Sequence, residues 1–171
     1  MGELAPLERL IAHDAIRQLV ARYAVALDAR DVAAVAALFV EDVRVGRDGR
    51  GRVALADYLR AAVADLGVTI LSVGTQLIDV ADAAHATGVV YCRGELQVGD
   101  RWVVQAIQYR DTYACREGQW LFVRREHLLW YGRDLPTSPA ELAPANWPQN
   151  HTGWGEPDRW SPWAPRAGDA R

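Results

Sequence analysis

Between residues 7 and 27 apolar side chains return every three or four positions, at Leu10, Ile11, Ile16, Leu19, Val20, Tyr23, Ala24 and Leu27, with Arg9, Arg17, Gln18 and Arg22 between them. A 3.6-residue period gathers such positions into one stripe, so the spacing predicts an amphipathic helix, with His13-Asp14 as the place for a kink. Asp31 stands where an N-cap would, before a second short helix over residues 32–39 whose Ala, Val and Leu content requires burial. Residues 43–45 suit a short strand, and the run Gly46-Arg47-Asp48-Gly49-Arg50-Gly51 is turn chemistry. A third helix is predicted over residues 53–66, with Gly67 as its C-terminal cap.

Beyond Gly67 the pattern changes to long runs rich in Val, Ile, Thr and aromatics, over residues 68–80, 86–98, 101–115 and 119–131. Gly99-Asp100 and Glu117-Gly118 are hairpin signals, so neighbouring strands run antiparallel as a meander. Strands this long must twist, and a twisted sheet offers a concave face. The expected fold class is α+β, with three N-terminal helices packed on a curved antiparallel sheet and a pocket between the layers.

From residue 135 periodicity is lost. Residues 135–171 hold seven of the eight prolines and four of the seven tryptophans, Trp147, Trp154, Trp160 and Trp163. A chain so rich in Pro is neither regular helix nor sheet, yet Trp side chains gain by leaving water. The expectation is a domain over residues 1–134 and an irregular tail that packs on it or on a neighbouring subunit.

Composition narrows the functional classes. The net charge is −3, and all 19 basic residues are Arg. No basic patch rises above a solvated face, so nucleic acid is not an expected partner. The absence of Lys excludes a Schiff-base lysine. No segment reaches the ~18 apolar residues of a membrane span, and the first residues lack a secretion signal, so no membrane association and a cytoplasmic location are expected. Cys92 and Cys115 fall in strands without metal spacing and read as buried thiols. With no P-loop, GxSxG, GxGxxG or paired His of zinc type, neither a cofactor nor a metal is expected.

The chemistry that remains lies on the third and fourth long strands and the end of the first helix. Alternation puts Gln105, Tyr109, Asp111 and Tyr113 on one face of the third strand, a polar column among apolar neighbours. If Glu117-Gly118 is a two-residue turn, Asp111 lies opposite Arg124; a bulge would bring Arg125 or His127 across from it. Asp111 is thus either half of a cross-strand ion pair or a site residue. His127 is either a surface residue or, facing the pocket, a general base. Asp28 ends the first helix, where a carboxylate gains nothing from the helix dipole; it either caps the second helix or serves the pocket. Tyr23, on the apolar stripe, is either core or catalyst. Leu71, Tyr109, Tyr113 and Trp130 complete the expected pocket wall.

Several stretches carry a family resemblance: Ile16-Arg17-Gln18-Leu19-Val20-Ala21-Arg22-Tyr23-Ala24, Leu27-Asp28, Leu38-Phe39-Val40-Glu41-Asp42, Tyr109-Arg110-Asp111-Thr112-Tyr113, Gly118-Gln119-Trp120 and Arg124-Arg125. Over residues 7–131 the chain resembles the SnoaL-like branch of the nuclear transport factor 2-like superfamily. The resemblance implies a cone-shaped α+β barrel and, from relatives such as scytalone dehydratase, ketosteroid isomerase and polyketide cyclases, chemistry beside a ring. It implies Asp28 as catalytic acid/base and Tyr23 as its companion. The His that dehydratase-like members pair with that Asp falls near Leu71 or Ser72 here, so the dyad is incomplete.

Together these features point to a cofactor-independent lyase or isomerase for a small apolar cyclic metabolite such as a polyketide, terpenoid, steroid or aromatic compound. Asp28, Tyr23, Asp111 and His127 would be its catalytic residues, and a homodimer or homotrimer is the expected assembly. A non-catalytic binder of the same ligands and a partner subunit of a larger enzyme are the alternatives.

Overall fold

The computed structural model describes residues 4–146 and 148–155. Helix α1 (Pro6–Asp28) is unbroken; Pro6 occupies its first turn and the Glu8 carboxylate accepts a hydrogen bond from the Ala5 amide at 2.9 Å. Its buried face is Ala12, Ile16, Leu19, Val20 and Ala24, the predicted stripe. Helix α2 (Val32–Ala37) is capped as expected, Asp31 accepting from the Ala34 amide at 2.9 Å. Strands β1 (Arg44–Val45) and β2 (Gly49–Arg50) then form a small hairpin, so part of the predicted turn is strand.

Helix α3 (Gly51–Val63) begins and ends earlier than predicted. Gly67 is not its cap: strand β3 (Leu66–Val80) has already begun. A Cβ at Gly67 would stand 2.5 Å from the end of the Gln97 side chain, which would have to shift to admit it. Strands β4 (His85–Val98), β5 (Arg101–Arg116) and β6 (Gln119–Asp134) complete an antiparallel sheet in the order β3-β4-β5-β6. Helix α1 runs along β3, with the Arg9 guanidinium on the Val80 carbonyl at one end and Asp28 on the Leu71 amide at the other. The three-helix, four-strand α+β architecture is the expected one. Among the described residues, no helix is long and apolar enough to cross a membrane.

The turn at Glu117-Gly118 has positive φ at both residues, 51° and 78°, which matches the twist of the strands it joins. Pairing then runs in the simple register to Tyr113–Phe122, but the next pair is Thr112–Arg124, so Val123 is an extra residue. This bulge lets both Phe122 and Arg125 face the helices, and it sets Arg125 opposite Asp111. The Arg125 Nε donates to Asp111 Oδ1 at 2.9 Å and its Nη2 to Oδ2 at 2.6 Å, while the Tyr113 hydroxyl donates to Oδ2 at 2.8 Å. The guanidinium also lies 4.3–4.4 Å from the ring centres of Tyr23, Tyr109 and Phe122. Burial alone would lower the Arg125 pKa; its bonds and attraction to Asp111 more than offset this and keep it charged.

Part of the tail packs on the opposite, outer face of the sheet. Pro139–Glu141 is a single 3-10 turn, Pro144 bridges Trp154, and the Trp154 ring meets Trp102 edge-on at 5.8 Å. Trp102, only 2% exposed, also donates from its indole to Glu95 at 2.9 Å. Trp147, Trp160 and Trp163 lie outside the described residues.

The buried pair gives a direct test. Asp111→Ala would leave Arg125 charged among aromatic rings without a counter-ion, and stability in urea should fall by about 3–5 kcal/mol. Arg101→Ala, which opens the exposed pair with Asp134, should cost a small fraction of that.

Candidate functional site

Asp28 is the last residue of α1, and the turn after it fixes its position. Arg30 adopts φ 59° and folds its guanidinium back onto the carbonyls of Leu27 and Gly67 and onto the Thr69 hydroxyl at 2.6 Å, tying the helix end to β3. This seats the Asp28 carboxylate on the sheet: Oδ2 accepts from the Leu71 amide at 3.0 Å. Oδ1 is buried and has no hydrogen-bond partner among the described residues. Burial raises the Asp28 pKa, and the Leu71 amide, the Thr69 hydroxyl and the Arg30 charge offset only part of that rise. One oxygen is anchored; the other is basic and unoccupied.

The strand register gathers the remaining groups on the helix-facing side. Leu71 pairs with Gly94, Cys92 with Ile107, and Tyr109 with His127. The Tyr23 and Tyr109 rings meet edge-on at 6.2 Å, and Tyr109 and His127 at 5.5 Å. Cys92 is buried on the same face, within electrostatic reach of Asp28, Tyr23 and Tyr109. Burial pushes its thiol up to about 11, leaving it protonated and inert near neutral pH. Burial likewise raises both phenols, which therefore remain neutral donors. Neither hydroxyl has a hydrogen-bond partner among the described residues. Partial desolvation of the His127 ring lowers its pKa and so favours the neutral imidazole.

Asp28, Tyr23, Tyr109, Leu71 and His127 are thus brought to one face, and Leu71 contributes its main-chain amide as well as a side chain. The other three expected residues are placed elsewhere. Asp111 has both oxygens occupied by Arg125 and Tyr113 and is the ion-paired alternative, not an available acid or base. Tyr113 is fully buried and its hydroxyl is committed to Asp111. Trp130 is the extra residue of a second bulge, 62% exposed, and packs on Tyr91 across the outer face at 5.4 Å.

Cys92 and Gln105 belong to the site face although neither is among the site residues expected from sequence. Gln105 pairs with Gly94, and its amide makes no hydrogen bond among the described residues. At Gly94 a Cβ would lie 3.1 Å from Ile107 and 3.6 Å from both Gln105 and Leu71, so glycine lets these three side chains draw together. The alternation of β5 contains this signal, since Gln105 and Tyr109 share a face. Among the described residues no group of three or more His, Cys, Asp or Glu is placed to hold a metal ion.

No curated protein matches the chain in sequence. Among solved structures, a candidate scytalone dehydratase from Novosphingobium aromaticivorans is 24% identical, with a TM-score of 0.69 over 78% of this chain and 94% of that one. The hexachlorocyclohexane dehydrochlorinase LinA-type3 from Novosphingobium barchaimii is 21% identical, with a TM-score of 0.69 over 77% and 95%. Rv3472 of Mycobacterium tuberculosis, a protein of unknown function, is 27% identical, with a TM-score of 0.64 over 75% and 78%. Residues 8–126 match the SnoaL-like domain, and with this fold the chain belongs to the SnoaL-like branch of the nuclear transport factor 2-like superfamily.

Proposed function

We propose that the protein is a cofactor-independent enzyme of lyase or isomerase type that removes a proton from carbon in a small, largely apolar cyclic molecule. The observation that carries this reading is the Asp28 carboxylate, anchored through one oxygen and left buried, basic and, among the described residues, unpartnered at the other. A desolvated carboxylate is a stronger base than one in water, and its proton affinity moves toward the working pH. Asp28 would take the proton. In a lyase, the C–H electron pair would form a C=C bond while the bond to a leaving group on the adjacent carbon breaks. In an isomerase, the proton would be returned to another carbon. Tyr23 and Tyr109, as neutral donors, would hold a carbonyl, hydroxyl or leaving group, and Gln105 adds an amide on the same face. Fold neighbours described as a dehydratase and a dehydrochlorinase support the lyase form.

A second reading has an observation of its own. Leu71 provides no base beside Asp28, which favours binding of the same ligand class without reaction. Incubation with polycyclic ketones, alcohols and halogenated rings, followed by mass spectrometry, separates the two: product supports the enzyme, retained unchanged ligand the binder.

Asp28→Asn should lower turnover at least about 100-fold, the usual contribution of a general base; unchanged turnover would overturn the role. Wild-type turnover should fall as pH drops through an Asp28 pKa lying above the ordinary Asp range. The stability effect has the opposite sign. Because the folded-state pKa is raised, the contribution of Asp28 to stability is greatest at acid pH and is lost as pH rises through that pKa. Asp28→Asn should therefore melt above wild type near neutral pH, with the difference vanishing toward about pH 3 to 4. Tyr109→Phe should weaken apparent substrate binding about tenfold, one lost hydrogen bond, while leaving the circular dichroism spectrum unchanged.

A further inference from the structure

We infer that the protein carries an oxyanion-binding site, separate from the Asp28 face, in the cavity between the β1–β2 hairpin and the start of β6, and that its ligand presents a phosphate group. This cavity, about 680 Å³, is lined by Val40, Val43, Arg44, Arg50 and Arg124, with Asp42 as its one acidic residue.

Three observations support an anion. Arg44 and Arg50 are direct cross-strand partners in β1–β2. Like charges so placed repel and would weaken a hairpin only two residue pairs long unless a counter-charge lies between them. Next, neither guanidinium has a hydrogen-bond or ion-pair partner among the described residues, and the Asp42 carboxylate in the same cavity pairs with neither. Finally, the third arginine, Arg124, bonds only Glu126 among the described residues, at 3.3 Å, an exposed pair that an incoming anion can open. The adjacent Arg125 contributes no free charge, because Asp111 neutralises it. Arg50 also immediately precedes α3, which starts with neither a side-chain cap nor an acidic residue, so the first turn of that helix adds no competing negative charge.

Planar guanidinium forks match the tetrahedral oxygens of phosphate, each offering two parallel donors, and two or three of them around one group give both charge balance and geometry. The volume exceeds that of inorganic phosphate, leaving room for an organic portion against Val40 and Val43. Free phosphate and a phosphate ester share this chemistry.

The test is thermal unfolding of the full chain titrated with inorganic phosphate or phenyl phosphate, at ionic strength held constant with sodium chloride. A saturable rise in melting temperature is expected, with affinity weakened about tenfold or more in Arg44→Gln and in Arg50→Gln. It should be unchanged in Arg110→Gln, an exposed arginine outside this cavity. Without phosphate at low salt, Arg44→Gln should melt above wild type, because the repulsion is gone. Tighter binding of phenyl phosphate would assign an ester, and tighter binding of inorganic phosphate the free anion. A response no larger than that to chloride, or one undiminished in both hairpin variants, would overturn the site.

Discussion

A guanidinium placed inside a core of Val, Ile and aromatic side chains loses several kcal/mol of hydration, and the interior of this protein is arranged around offsetting that loss for Arg125. Two parallel hydrogen bonds to Asp111 neutralise the charge, Tyr113 fills a remaining lone pair of the carboxylate, and three rings pack on the guanidinium. The partners come from three elements: Tyr23 from α1, Tyr109 and Asp111 from β5, Phe122 from β6. The pair therefore constrains the helix layer and the sheet together, and it fixes where the Tyr23 and Tyr109 rings stand.

The two buried acids illustrate how one side chain type takes two roles. Asp111 has a cation and a phenol at hand, and both its oxygens are engaged. Asp28 has the Leu71 amide on one oxygen and, among the described residues, no hydrogen-bond partner on the other, and burial makes the carboxylate hold a proton more tightly. A carboxylate in the first setting contributes cohesion; in the second it is available for proton transfer. Tyr113 and Tyr109 divide in the same way, the first committed to Asp111 and the second with its hydroxyl open.

Periodicity makes the helices and the four-strand meander legible because burial on one face imposes 3.6- and 2-residue repeats. It also puts Tyr23 on the buried stripe of the first helix and Tyr109 in the polar column of the third long strand, while His127 stays undecided between the two faces of the fourth. Register is what it leaves open. With alternation unbroken along β6, Phe122 and Arg125 fall on opposite faces; Val123, inserted in the ladder, turns both inward, and nothing in the local residue types marks it as the extra position. Trp130 departs from its expected place in the pocket wall for the same reason. Gly67 has the residue type of a helix cap, whereas the strand β3 has already begun at Leu66. Gln105 and Cys92 show the opposite limit: their face is readable, but what the first helix brings to that face depends on how α1 lies on β3, which no single strand encodes.

The hydrogen bond from the Leu71 amide to Asp28 has a bearing on how this fold diversifies. Because the main chain holds the carboxylate, the residue at position 71 can change without unseating it, provided the strand is kept. The anchoring and the reactive company of Asp28 are thus inherited separately: one belongs to the backbone, the other to a single codon. A substitution at position 71 can therefore change the side chain beside Asp28 in one step that leaves its hydrogen bond to the strand in place.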